Sequence, residues 1–128
     1  MPGPSSCRIL VVEDEILLTM ALEALLEQAG YDQFAFVATV DDALEKVAAW
    51  APDVAVLDLN LHGQKSFPVA DALDDRGVPF VIISGHSHGI VPDRHSARPF
   101  LSKPFEPKFL LQVIGQQLDR RARPPLGR

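Results

Sequence analysis

Two short runs of the chain, Val54 to Leu57 and Phe80 to Ile83, contain no polar side chain. A strand of that kind must be covered on both faces, the condition of an interior strand in a parallel sheet flanked by helices. Further apolar runs lie at Ile9 to Val12, Phe34 to Ala38 and Phe100 to Ser102. Helix-like segments separate them, so the chain reads as an α/β domain built on a doubly wound, five-stranded parallel sheet. Right-handed crossovers then place helices on both faces.

The first helix is expected from about Glu15 to Ala29, with Leu18, Leu22, Leu25 and Ala29 as its apolar stripe and Gly30 as its stop. Thr39 with Asp42 three places on predicts a capped second helix that buries Leu44, Val47 and Ala48 and closes at Pro52. A loop from Asn60 to Lys65 precedes a short helix around Pro68 to Asp75 that ends at Gly77. Between Gly85 and Pro99 the glycines, prolines and three histidines leave little helical periodicity, so a loop with one turn is expected. A last helix opens near Pro107 and turns Leu110, Val113, Ile114 and Leu118 inward.

A chain of 128 residues suits one domain. Residues 1–6 read as a flexible, Gly/Pro/Ser-rich start, residues 7–119 as the folded unit and residues 120–128 as a basic tail with Pro124-Pro125. Seventeen acidic against twelve basic side chains give a net charge of −5, which opposes extended contact with nucleic acid or an anionic membrane. Arg120, Arg121, Arg123 and Arg128 are confined to the tail and read as a solvated helix end. The single cysteine, Cys7, reads as a strand-edge residue and fits a reducing compartment. The run Ile9 to Val12 is cut at once by Glu13 and Asp14, too short for a signal core or a span, and a cytoplasmic protein is expected.

Four of the five runs end in a reactive group: Glu13-Asp14, Asp58, Ser84 and Lys103. The C-terminal ends of parallel strands share one sheet edge, where ligands bind at the point of reversal, so these side chains are expected to converge. Three carboxylates gathered there repel, by about 4 kcal/mol per pair at roughly 4 Å and an effective dielectric near 20. Either Lys103 and a divalent cation neutralise them, with Mg²⁺ suited to an oxygen-ligand set, or their pKa values rise. A carboxylate so placed can act as a nucleophile toward phosphorus. Ser84 then supplies a hydroxyl for a phosphoryl oxygen, and the amides of Leu59, Asn60 and Gly85 could complete a cradle.

At VVEDE (11–15), VAVLDLNL (54–61), VIISG (81–85) and LSKPF (101–105) the chain resembles the receiver domains of response regulators, from Arg8 to about Leu118. The resemblance implies the flavodoxin-like strand order 2-1-3-4-5, which the residues alone do not supply. It implies Asp58 as phosphoacceptor, Asp14 as a direct Mg²⁺ ligand, Glu13 as a ligand directly or through water, and the Asn60 carbonyl as a further ligand. It also implies Lys103 paired with Asp58 or its phosphate, Ser84 and Phe100 as a switch pair, and a cis peptide before Pro104. Only 15 residues separate Ser84 from Phe100, and the segment PFVIISGHS (79–87) is similar to stand-alone alphaproteobacterial single-domain receivers with a short or unwound fourth helix.

The implied function is a single-domain response regulator. It would take a phosphoryl group on Asp58 from a histidine kinase or phosphotransfer protein and signal to an unknown downstream protein by contact or phosphorelay. It would be no enzyme beyond Mg²⁺-dependent self-phosphorylation and self-dephosphorylation. One alternative is a degenerate receiver acting as a phosphorylation-independent binding module, against which the set Asp14, Asp58 and Lys103 speaks. Another, a phosphohydrolase, lacks a second acid two residues beyond Asp58, where Asn60 stands. His86, His88 and His95 read as solvated loop histidines rather than metal ligands, and Trp50 as rim packing at a helix end.

Overall fold

The computed structural model describes residues 7–86 and 88–122. The N-terminal segment 1–6, Ser87 and the tail from Arg123 to Arg128 lie outside the described residues. In chain order the elements are β1 (Arg8–Val12), α1 (Ile16–Gln28), β2 (Gln33–Val37), α2 (Val40–Trp50), β3 (Val54–Asp58), β4 (Asn60–Leu61), β5 (Gln64–Lys65), α3 (Phe67–Asp75), β6 (Phe80–Ser84), β7 (Phe100–Ser102) and α4 (Pro107–Ala122). Two 3₁₀ turns, His88–Ile90 and Asp93–His95, occupy the stretch between β6 and β7. Five strands form one parallel sheet in the order β2-β1-β3-β6-β7, which is 2-1-3-4-5 when only its own strands are counted.

Burial explains the layering. Every residue of β3 and β6 is buried, as their lack of polar side chains up to the last position requires. Leu10, Val12, Ala55, Leu57, Phe80 and Ile82 face one layer, where they meet Val40, Ala43 and Val47 of α2 and Val69, Ala70 and Leu73 of α3. The alternate residues Ile9, Val11, Val54, Val56, Val81 and Ile83 face the other, against Leu22 and Leu26 of α1 and Leu110 and Ile114 of α4. Each buried aliphatic side chain contributes roughly 1.5–3 kcal/mol relative to exposure.

Helix ends follow local chemistry. After α1, Gly30 at φ 95° lets its amide reach Glu27 O and the Tyr31 amide reach Leu26 O. Gly77 at φ 67° repeats the arrangement after α3, with bonds from Gly77 and Val78 to Asp74 O and Leu73 O. Thr39 Oγ1 accepts from the Asp42 amide at 3.1 Å, as the sequence predicts. The predicted stripes need correction in detail. In α1 the fully buried pair is Leu22 and Leu26, Leu18 and Leu25 are half-buried and Ala29 is exposed. In α2 the buried residues are Val40, Ala43 and Val47, with Leu44 half-buried and Ala48 exposed. Both helices are so rich in Leu, Val and Ala that more than one stripe fits the pattern, and the sheet selects one.

The stretch after β6 holds no α-helix among the described residues, in line with its composition. What fastens it is charge. α3 presents Asp71 and Asp74, three positions apart on one face. Arg94 grips Asp71 through Nε at 2.7 Å and Nη2 at 3.1 Å, Arg98 pairs with Asp74 and lies over the Phe80 ring at 4.5 Å, and His95 Nε2 lies 2.7 Å from Asp71 Oδ1. His95 is buried, edge-on to Phe80, so the reading of three solvated histidines is wrong for this one; His86 and His88 are exposed. Since a carboxylate only accepts, the His95 ring donates from Nε2.

The hydrogen bond from Arg94, joined by that from His95, holds the Asp71 carboxyl down at about 2. Such an acid adds stability above its unfolded pKa near 4 and loses that contribution as pH falls toward the folded value. In urea unfolding, the deficit of Asp71→Asn relative to the unsubstituted chain is expected to hold from about pH 8 to about pH 5 and to shrink below about pH 4. A deficit unchanged down to about pH 2 would rule out this charge as the fastening.

Candidate functional site

The sheet register sets the site. Val12 pairs with Leu57, Asp58 with Ile83 and Ser84 with Ser102, so four strands end level at one edge. The ladder continues past the strands through Glu13 N to Val37 O (2.9 Å), Leu59 N to Ile83 O (3.2 Å) and Lys103 N to Ser84 O (2.8 Å). Those backbone bonds fix the residues whose side chains meet beyond the edge. The Lys103–Pro104 peptide is cis.

Lys103 Nζ lies 3.0 Å from Asp58 Oδ2, 2.7 Å from Glu13 Oε1 and 3.6 Å from Glu15 Oε1. Glu13 Oε2 accepts from the Glu15 amide at 3.0 Å, Asp58 Oδ1 from the Asn60 amide at 3.1 Å, and Asp14 Oδ2 from the His62 amide at 2.8 Å. Glu13, Asp14 and Asp58 each offer an oxygen within 4.8 Å of the others'. Beside them opens a crevice of about 320 Å³, lined by Asp14, Asp58, Asn60, Gly85, His86 and Lys103 among others. Glu13 has no exposed side-chain surface and is turned to the ammonium.

The electrostatics follow from burial and contact. Burial pushes the Glu13 carboxyl up to about 7 against the opposing pull of Lys103. Burial lifts the Asp14 carboxyl, but the hydrogen bonds it accepts, from the His62 amide first and then from Glu13 and its own amide, together outweigh this and leave Asp14 below its ordinary value. Burial draws the Lys103 ammonium down, and the Glu13 and Asp58 carboxylates more than reverse this, so Lys103 is held protonated. One ammonium thus faces three acids. The remaining negative charge, an all-oxygen donor set and the buried Asn60 Oδ1 with no hydrogen-bond partner fit a hard divalent cation.

Convergence of Glu13, Asp14, Asp58 and Lys103 is as the sequence predicts, while other expectations change. The Leu59 amide is engaged by Ile83 O and the Asn60 amide by the Asp58 carboxylate, so neither completes a free cradle. Ser84 is buried, and its Oγ accepts from the His86 amide at 2.9 Å. Phe100 is half-buried against the core, edge-on to the His88 ring at 5.1 Å. The expected loop Asn60 to Lys65 is a hairpin of β4 and β5, turning through His62 (φ 50°) and Gly63 (φ 83°), the positive values that a two-residue turn of this kind needs. The glycine was its only signal in the sequence, and the roles of the His62 amide and of Ser66, described below, left none.

Comparison with known proteins agrees with this geometry. The family model described as response regulator receiver domain matches residues 9–115. The DNA-binding response regulator MtrA of Mycolicibacterium paratuberculosis is 32% identical over 117 residues, which are 88% of this chain and 52% of that protein. The chain therefore spans about half the length of such curated relatives. Among solved structures, SdrG from Sphingomonas melonis Fr1 is 40% identical with a TM-score of 0.76, over 91% of this chain and 99% of that one. The PhyR receiver domain of Erythrobacter litoralis is 28% identical with a TM-score of 0.77, over 94% and 96%.

A cation that binds only the folded crevice is expected to raise the thermal midpoint, by about 2.7 kcal/mol of stability at a hundredfold excess over Kd. Asp58→Asn removes one of the repelling charges; its midpoint should rise without cation and respond less to it. Calorimetric scans of both proteins with and without a divalent cation check this, and equal responses would place the cation elsewhere.

Proposed function

Because the chain belongs to the response regulator receiver domain family, we propose that it accepts a phosphoryl group on Asp58 with Mg²⁺ in the acidic crevice and signals through protein contact or phosphorelay. The observation that carries this reading is Lys103 Nζ at 3.0 Å from the Asp58 carboxylate, with Asp14 beside it in the same crevice. Asp14, Asp58 and the Asn60 carbonyl would hold Mg²⁺, with Glu13 acting directly or through water. The ion would draw charge from the phosphoryl oxygens.

In the transfer, an Asp58 carboxylate oxygen forms the bond to phosphorus as the P–N bond to the donor's phosphohistidine breaks and the leaving imidazole takes up a proton. Lys103 neutralises the phosphoryl charge. Ser84 Oγ, released from the His86 amide, would reach a phosphoryl oxygen, and Phe100 would turn into the space it leaves. The chemistry is confined to the chain's own aspartyl group, which is signalling rather than turnover.

The donor is a protein in this reading, a histidine kinase or phosphotransfer protein. Its support is an apolar surface next to the crevice: Ile16, Leu17 and Met20 of α1 are exposed, Leu17 by 80%. Beside them runs a groove lined by Leu18, Ala21, Pro104 and Phe105 that also touches Lys103. A net charge of −5 favours protein over nucleic acid as the downstream partner. The finer kinship, with alphaproteobacterial single-domain receivers, rests on the 40% identity with SdrG and on the unwound stretch between β6 and β7.

Incubation with Mg²⁺ and acetyl phosphate, read by intact mass, tests the reading. A labile phosphoryl adduct is expected on the unsubstituted chain and not on Asp58→Asn. No adduct on either would favour a binding module that takes no phosphate. Lys103→Ala is expected to lose the phosphorylation-linked change in amide spectra while retaining cation binding; equal loss of both would contradict the role given to Lys103.

A further inference from the structure

Ser66 stands where a serine ordinarily caps a helix, at the start of α3, yet its side chain makes no capping bond. Its hydroxyl is wholly buried and points back, donating to the Asp58 carbonyl oxygen at 2.6 Å, while its amide donates to Leu59 O at 2.9 Å. These two bonds close the neck of the segment from Asp58 to Ser66. The outer part of that segment is the β4–β5 hairpin, in which Asn60 pairs with Lys65 and Leu61 with Gln64. Leu61 is buried and roots the hairpin in the core.

Two amides of the hairpin hold carboxylates of the crevice. Asn60 N reaches Asp58 Oδ1 at 3.1 Å, and His62 N reaches across to Asp14 Oδ2 at 2.8 Å. Asp58 ends β3 and Asp14 lies two residues beyond β1, and the hairpin bonds to both side chains on this side of the crevice. Its own ladder is only two residues on each strand, too short to be rigid without an anchor. Leu61 holds its outer part to the core, and the Ser66 hydroxyl adds an anchor at the residue that carries one of the two carboxylates.

We propose that Ser66 is a positioning residue for the cation site: its buried hydroxyl, bonded to the Asp58 carbonyl, locks the neck of the hairpin, so that the Asn60 and His62 amides keep the Asp58 and Asp14 carboxylates aimed at one ion. The inference rests on the cation-binding reading above. Groups that orient ligands in this way typically matter by tenfold or more in metal affinity.

The test is a Mg²⁺ titration of the full chain, followed through the amide shifts of Asn60 and His62 at a temperature where every variant is folded. Ser66→Ala is expected to weaken Mg²⁺ binding roughly tenfold, and Ser66→Thr, which keeps the hydroxyl, to restore it. A merely structural serine would lower the thermal midpoint of Ser66→Ala and leave the affinity of the folded protein unchanged, and that result overturns the inference while the cation reading stands. If Ser66→Ala does not fold, Ser66→Cys, similar in size but a weak donor, takes its place; weaker binding than Ser66→Thr supports the inference, and equal binding overturns it. An unsubstituted chain that takes up no Mg²⁺ overturns the cation reading and this inference with it.

Discussion

The Lys103 ammonium, set between the Glu13 and Asp58 carboxylates, is the contact on which the site depends. Removing charges from water is costly, and a buried acid without a partner would sooner keep its proton. Here one cation meets two acids and leaves Asp14 to the His62 amide, so the edge is tolerable but not neutral. That residual negative charge is what makes room for a metal ion. The arrangement needs β7 to lie beside β6, since only that pairing delivers Lys103 across the Ser84 carbonyl to the edge where β1 and β3 end.

Much of this could be read from the chain. Runs such as Val54 to Leu57 have one stable setting, between two helical layers, and the polar residue that follows each run must then lie on the shared edge. Asp58, Ser84, Lys103 and the Glu13-Asp14 pair were therefore legible from position alone. Helix faces were less so: with Leu17, Leu18, Leu22, Leu25 and Leu26 all in α1, periodicity does not decide between overlapping stripes, and contact with Leu110 and Ile114 of α4 does. Long-range side-chain-to-backbone bonds were not legible. Nothing in the identity of Ser66 or His62 announces a bond to Asp58 or Asp14, because such bonds depend on where the hairpin folds back.

The stretch between β6 and β7 shows a different balance. A regular helix there would hold itself by its own backbone bonds and an apolar stripe. This chain instead relies on Arg94, His95 and Arg98 reaching Asp71 and Asp74 of α3, with Phe80 beneath. Charged contacts at half-exposed positions are weaker and more easily screened than buried apolar ones. Gly85 and His86, at the near end of the stretch, line the crevice, so a segment held in this way adjoins the place where chemistry is proposed.

β7 bears on how such sheets avoid one another. It is an outermost strand, three residues long, with Pro99 before it and Pro104 two positions after it. An edge that brief, flanked by residues without an amide hydrogen, gives a foreign strand few groups to pair with. The parallel sheet can thus end in an open border without inviting fibrous self-assembly along it.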